Sequence, residues 1–185
     1  MRIIAGKHRG RILHTVNDLS VRPATDRVKS AIFNSLQSRI DWNGATVLDL
    51  FAGSGSIGLE ALSRGAKNIT FVESSSPVLE FLKNNILNLN EEVNCNIIPI
   101  SVEQYLSSSH SPFSIVFADP PYEDSELPQL PQKIFFSNLV EQDGLLVIEH
   151  PVKLKFDLTD EIRCVRNSNY GRTAVSFFQF ERSTK

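Results

Sequence analysis

The chain has 185 residues, 41% of them hydrophobic and 22% charged. That is the profile of a single globular domain able to bury roughly 70% of its unfolded surface and to fold without disulfides. Its two cysteines, Cys95 and Cys164, form no CxxC pair, which argues for a reduced setting and against a structural metal. With no opening signal segment and no apolar run near the ~18 residues of a membrane span, a cytoplasmic protein without a membrane partner is expected.

Residues 1–29 carry seven Lys and Arg side chains against Asp18 and Asp26, a net +5, so the remainder carries −7 to reach the formal −2 of the whole. A basic arm on an acidic body suits a phosphate backbone, and it also suits a solubilising tail; charge leaves both open. His8 and His14 lie in the same arm. Within it, "RIIAGKHRGRIL" sets apolar pairs on either side of a Gly- and Lys-rich centre and predicts a short hairpin. "RPATDRVKSAIFNSLQSRI" predicts a helix with Thr25 as N-cap and Val28, Ile32, Leu36 and Ile40 on one face. "ATVLDLF" (45–51) is a continuous apolar run, typical of a strand buried on both faces. "AGSGSIG" follows, then a helix over "LEALSRG" that ends at Gly65. The unit repeats: strand "NITFVES" (68–74), helix "SPVLEFLKNNILNL" (76–89), strand "CNIIPIS" (95–101), a short helix from Glu103, and strand "FSIVFA" (113–118). A helical stretch near 128–140 leads to strand "GLLVIEH" (144–150). "EIRCVRN" and "TAVSFFQF", joined by "SNYG", predict a terminal antiparallel hairpin. Alternation of strand and helix implies an α/β fold with a doubly wound, mostly parallel sheet.

In such sheets ligands bind beyond the carboxyl ends of the strands. Gly53, Gly55 and Gly58 satisfy GxGxxG between a strand and a helix, where glycine lets the backbone approach a ligand. Glu73 ends the next strand and suits the hydroxyls of a ribose. NAD and S-adenosylmethionine both fit this much. Asp49, four residues before Gly53, separates them: its carboxylate would repel a pyrophosphate and attract the ammonium of a methionyl group. The plainer alternative is that Asp49 caps the loop or the helix.

"DPPY" (119–122) ends the apolar strand "FSIVFA". "DLFAGSGSIGLEALSRGA", "VES" and "DPPY", in this order, resemble the Rossmann-like amino-methyltransferases that carry the [DNS]PP[YFW] signature. "RPATDRVKSAIFN" and "NYGRT" are similar to a narrower family, the bacterial methyltransferases that modify a guanine 2-amino group in 16S ribosomal RNA. The resemblance runs from Arg2 to about Phe180. It implies a class I methyltransferase domain over 1–185, with a basic arm over 1–24 and a core over 25–185. The implied sheet has seven mostly parallel strands, helices on both faces and a C-terminal antiparallel hairpin. It further implies S-adenosylmethionine as cofactor, ribosomal RNA as partner, alone or in the assembling small subunit, a monomer, and no metal. The implied cofactor residues are Thr25, Asp49, Ala52, Gly53, Gly55, Glu73, Val102 and Glu103. At 101–103 the chain reads "SVE" where many relatives have an aspartate that meets the adenine amino group, so that contact is assigned to Glu103 or the backbone of Val102. RNA contacts fall to Arg9, Arg11, Arg22, Tyr170 and Arg172.

The catalytic set is Asp119, Pro120, Pro121 and Tyr122. An exocyclic base amine is a poor nucleophile because its lone pair is delocalised into the ring. Accepting hydrogen bonds from both N–H groups draws the nitrogen towards tetrahedral geometry. Asp119 offers one acceptor and the Pro120 carbonyl the other, and two prolines fix that carbonyl's direction at little entropic cost. Tyr122 offers a face for stacking, worth ~1–3 kcal/mol per base; stacking asks for the ring rather than the hydroxyl. A flipped nucleotide costs a few kcal/mol, which favours an RNA loop or bulge. Two rivals remain. DNA adenine methyltransferases share "DPPY" but usually carry an extra segment for sequence readout. A catalytically dead RNA-binding module would have no need of an intact glycine loop, Glu73 and "DPPY" together. His150 and His110 are read as structural, and Phe177, Phe178 and Phe180 as packing.

Overall fold

The structure, a computed structural model, describes residues 1–15 and 25–181. The chain divides into two compact units, Met1–Val102 and Glu103–Lys185.

The first unit opens with the expected hairpin, closed by an antiparallel bridge between Arg2 and Ile12. Ile3 and Leu13 are buried, so the hairpin has an inner face. α1 (Thr25–Leu36) follows. Its Val28, Ile32, Phe33 and Leu36 are buried, while Ile40 lies past the helix end. The βαβ succession is β1 (Thr46–Leu50), α2 (Ser56–Ser63), β2 (Asn68–Val72), α3 (Ser76–Leu89) and β3 (Cys95–Ile98). β2 pairs in parallel with both β1 and β3. α3 covers the span predicted for it, with Pro77 in its first turn, and ends where Asn90 turns left-handed at φ +56°.

The second unit holds most of α4 (Val102–Leu106), then β4 (Phe113–Ala118), α5 (Leu130–Phe136), β5 (Val140–Pro151), β6 (Ile162–Tyr170) and β7 (Thr173–Phe180). The single helix expected near 128–140 is instead a 3₁₀ turn, Leu127–Gln129, and the short α5. Pro128 and Pro131 break the donor pattern, and Asn138 at φ +55° ends the segment. β5 begins four residues before the predicted strand, and its register against β4 shifts between Phe113 and Ile115. "SNYG" is not the connection it was expected to be. β6 runs on through Tyr170, which pairs with Thr173, and the turn is only Gly171 and Arg172. Gly171 sits at φ +69° with open space around it, so the backbone angle is what requires glycine.

The first unit orders its strands β3-β2-β1 and the second β4-β5-β7-β6; the seven belong to one mixed sheet. β7 runs antiparallel to β5 and β6, which gives the C-terminal hairpin.

The hairpin of the first unit is no loose tail. Glu60 on α2, with 0% exposure, accepts the backbone N–H of Ile4 at 2.7 Å and of Ala5 at 3.1 Å. Arg64 donates to the same carboxylate at 2.8 Å, and Lys29 of α1 lies 3.9 Å away. Lys29 itself is buried and donates to the Arg2 carbonyl at 2.8 Å and to Ser56 at 3.0 Å. Burial lowers the pKa of its ammonium, against the pull of Glu60 and Asp26. Ser63 adds three bonds, to Ala5, Lys7 and His8.

Candidate functional site

β1 ends in the buried core, and the chain then turns through Phe51 at φ +58°, a left-handed angle that costs a bulky residue energy. Gly53 and Gly55 follow at φ +56° and +82°. The three glycines of the motif do different jobs. A Cβ on Gly55 would lie 2.4 Å from Leu82 Cδ1, and one on Gly58 would lie 2.4 Å from Phe71 Cε1. Both are therefore demanded by the packing of α2 and α3 on β2. A Cβ on Gly53 would meet nothing closer than the Phe51 carbonyl at 4.0 Å. Open space over a left-handed glycine fits a loop that a ligand approaches. Ala52, buried, fixes the loop to β2 through its N–H and the Val72 carbonyl at 3.0 Å.

Two carboxylates hold this loop. Glu73, half-buried after β2, accepts from Gly53 N–H at 2.9 Å through one oxygen and from Ser75 N–H at 2.7 Å through the other. Asp49 is buried in β1 and accepts from Gly58 N–H at 2.9 Å, in the first turn of α2. The helix-capping alternative considered for Asp49 is thus a bond the structure contains. Burial pushes the Asp49 carboxyl up to about 7; the Gly58 bond opposes this, and the charge of Glu73 adds to it.

In the second unit β4 is buried through Ala118, and the chain leaves the core at Asp119, which is exposed. Pro120 is buried and Pro121 exposed. The Pro121 carbonyl accepts Asp124 N–H at 3.1 Å, so it is spent on the turn. Tyr122 is half-buried, and its hydroxyl lies 2.7 Å from Thr173 Oγ1 and 3.4 Å from Glu149 Oε1.

The other expected residues are spread more widely. Val102 and Glu103 open α4, the first buried and the second exposed. Arg9 and Arg11 are exposed on the hairpin, and Arg11 donates to the Asn88 carbonyl at 2.6 Å. Tyr170 ends β6, half-buried, and Arg172 is exposed in the turn. Thr25 opens α1; its side chain, like the whole of Arg22, lies outside the described residues. His150 is buried against β7. Its Nδ1 donates to the Pro151 carbonyl at 2.9 Å, so Nε2 accepts from Ser176 at 2.8 Å. Burial lowers its pKa, against the Pro151 bond, and so favours the neutral ring.

Sequence reasoning missed the residues that hold others in place. Asn85 is 1% exposed. It accepts from His14 N–H at 2.8 Å and donates to the carbonyls of His14 at 2.8 Å and Ser54 at 2.9 Å. One buried amide thus ties hairpin to glycine loop. Lys7 and His8 both meet Glu91, each at 2.6 Å. Burial raises the Glu91 carboxyl, but bonds from Lys7, Asn94 and His8 outweigh it and hold the pKa below the usual range. A polar residue inside an apolar helical pattern, as at Glu60 and Asn85, was the available signal.

Residues 1–179 match the model of the family described as Conserved hypothetical protein 95. Ribosomal RNA small subunit methyltransferase D of Escherichia coli is 33% identical over 188 residues, covering 98% of this chain and 90% of that protein. The solved structure of yhhF from Escherichia coli, described as a candidate methyltransferase, superposes with a TM-score of 0.86 at 31% identity, covering 99% of both chains. A candidate methyltransferase, SMU.776, solved in complex with SAH, shares the fold at a TM-score of 0.67 and 15% identity, over 85% of this chain and 50% of that one. The glycine loop, the acidic residues that hold it and the strand-ending Asp-Pro-Pro-Tyr therefore sit in a chain that belongs to the Conserved hypothetical protein 95 family, alongside ribosomal RNA small subunit methyltransferase D.

Proposed function

We propose that the protein is an S-adenosylmethionine-dependent methyltransferase acting on the exocyclic 2-amino group of a guanine in small-subunit ribosomal RNA. The observation that carries this reading is Asp-Pro-Pro-Tyr at the carboxyl end of β4 in a chain matched by the family over residues 1–179. The SAH complex of SMU.776, SAH being the demethylated form of the donor, supports the cofactor assignment. The open face over Gly53 and the carboxylates of Glu73 and Asp49 are a donor set that fits it. Bound there, the cofactor supplies an electrophilic methyl group.

The chain's own residues do the rest. Glu73 holds Gly53 in its left-handed turn and presents a charged acceptor to ribose hydroxyls. Asp49, when ionised, would attract the ammonium of the methionyl end. Asp119 and the Pro120 carbonyl accept the two N–H groups of the guanine amine, the Pro121 carbonyl being engaged in its turn. The methylated amine is strongly acidic, so a weak base, the Asp119 carboxylate or water, suffices to take its proton. Tyr122 supplies the stacking face.

Asp119→Ala tests the assignment. Single-turnover methyl transfer to a small-subunit ribosomal RNA fragment at saturating cofactor should fall at least about 100-fold, the scale of losing one positioned catalytic group. Cofactor affinity should stay near that of the wild type. Full activity in the variant would reduce Asp-Pro-Pro-Tyr to a turn and remove the mechanism.

A further inference from the structure

We infer that Thr173, with Glu149 behind it, is the positioning residue that fixes the ring of Tyr122 through its hydroxyl. The inference rests on the proposed function for its catalytic meaning and names the part of the site that sets base stacking.

The placement follows from strand register. Gly171 at φ +69° allows a two-residue turn, so β7 begins at Thr173, paired with Tyr170 on β6 and with Pro151 on β5. Glu149 pairs with Val175, two residues along on each strand. Side chains two apart on a strand share a face, so Thr173 and Glu149 stand on the same side of β5 and β7. His150 and Ser176 stand on the other, which separates their bond from this one. Thr173 is 3% exposed, so its hydroxyl is held by a buried β-branched side chain with little rotamer freedom.

Tyr122 reaches this pair from the segment after β4. Its hydroxyl lies 2.7 Å from Thr173 Oγ1 and 3.4 Å from Glu149 Oε1. A carboxylate only accepts, so the phenol donates to Glu149 and Thr173 donates to the phenol. The result is a directed chain, Thr173 to Tyr122 to Glu149, in which each bond polarises the next. The two prolines limit the backbone, but they leave the Tyr122 side-chain torsions free. The hydroxyl chain removes that freedom before a base arrives, so less ordering remains to be done on binding. This gives the Thr of "YGRT" a role that the sequence left unassigned. It also changes the expectation for Tyr122: the ring stacks, and the hydroxyl aims it.

The test uses the full chain carrying Thr173→Val, Thr173→Ser, Tyr122→Phe, or Thr173→Val with Tyr122→Phe. Thr173→Val keeps the shape and loses the hydroxyl. It should lower single-turnover transfer to a small-subunit ribosomal RNA fragment about tenfold, with cofactor affinity and Tm close to wild type. Tyr122→Phe removes both bonds of the chain and should cost at least as much, and the double variant no more than Tyr122→Phe alone, because Thr173 then has no phenol left to tether. Thr173→Ser should restore the rate. A second readout needs no activity. The chain has three tyrosines; labelled with 3-fluorotyrosine, the line lost in Tyr122→Phe belongs to Tyr122. That line should shift in Thr173→Val and return in Thr173→Ser. A wild-type rate in Thr173→Val, singles whose losses multiply in the double, or an unmoved Tyr122 line would each overturn the inference. If the wild type itself transfers no methyl group to the RNA, the proposed function falls, and the fluorine line still decides whether the tether exists.

Discussion

Asp49 illustrates how one side chain can serve fold and chemistry at once. Its carboxylate holds the first turn of α2 through Gly58, yet burial lifts its pKa to about 7. A carboxyl with a raised pKa in the folded state binds a proton that the unfolded chain has already lost. Between about pH 4 and pH 7 folding therefore takes up a proton, and this group's contribution to stability declines as pH rises through that window and is level above it. Asp49→Asn keeps an acceptor for Gly58 and removes the charge, so its Tm relative to wild type should be higher at pH 8 than at pH 5. A constant difference would mean that the carboxyl titrates normally. The proposed ammonium contact predicts the opposite trend for the ligand: wild-type affinity for S-adenosylmethionine should rise from pH 5.5 to pH 7, and that of Asp49→Asn should stay flat. Sequence spacing made Asp49, Gly53 and Glu73 conspicuous, because they interrupt strand ends with charge and flexibility. It could not show that the backbone N–H groups of Gly53, Gly58 and Ser75 already occupy those carboxylates, since the bonds span up to 20 residues and depend on the turn itself.

At the scale of elements, α3 and β4 were legible to the residue. Ser75 and Pro77 start α3, and an apolar run bounded by Asp119 delimits β4. β5 was legible only from Gly144, because its first four residues, "VEQD", show no apolar pattern; Val140 alone of the four pairs with β4, at Phe113, before the register shifts. The docking of the N-terminal hairpin was not legible at all. Its apolar pairs announced a hairpin; the residues that receive it are polar ones hidden in α2 and α3. Glu60 is the principal of these, and removing it leaves Lys29 and Arg64 with a buried charge uncompensated and two backbone N–H groups unpaired. Glu60→Ala should cost about 3–5 kcal/mol. Amide exchange should report it locally, with Ile4 and Ala5 losing protection more than the β1 and β2 ladder. Uniform loss across the first unit would instead make the hairpin inseparable from the core.

For the molecule as a whole, the +5 of residues 1–29 overstates what is offered to a phosphate backbone. Lys29 is buried, and Lys7 is committed to Glu91. Arg9 and Arg11 remain exposed. Replacing both with alanine should weaken ribosomal RNA binding and flatten its salt dependence by about one counterion per lost phosphate contact, with S-adenosylmethionine binding intact. Lys7→Ala should leave the salt slope nearly unchanged and lower Tm instead. An unchanged slope in the double arginine variant would assign the arm to solubility and stability alone.

The long reach of the hairpin's bonds also dictates an order of events during synthesis. Ile4 and Ala5 wait for Glu60, His14 for Asn85, and His8 for Glu91, separations of 55 to 83 residues. At about 5–20 residues per second on the ribosome, these segments stay unsatisfied for several seconds after they are made. The glycine loop, tied through Asn85 to His14, reaches its finished state only when that earliest-made stretch has come back to meet it.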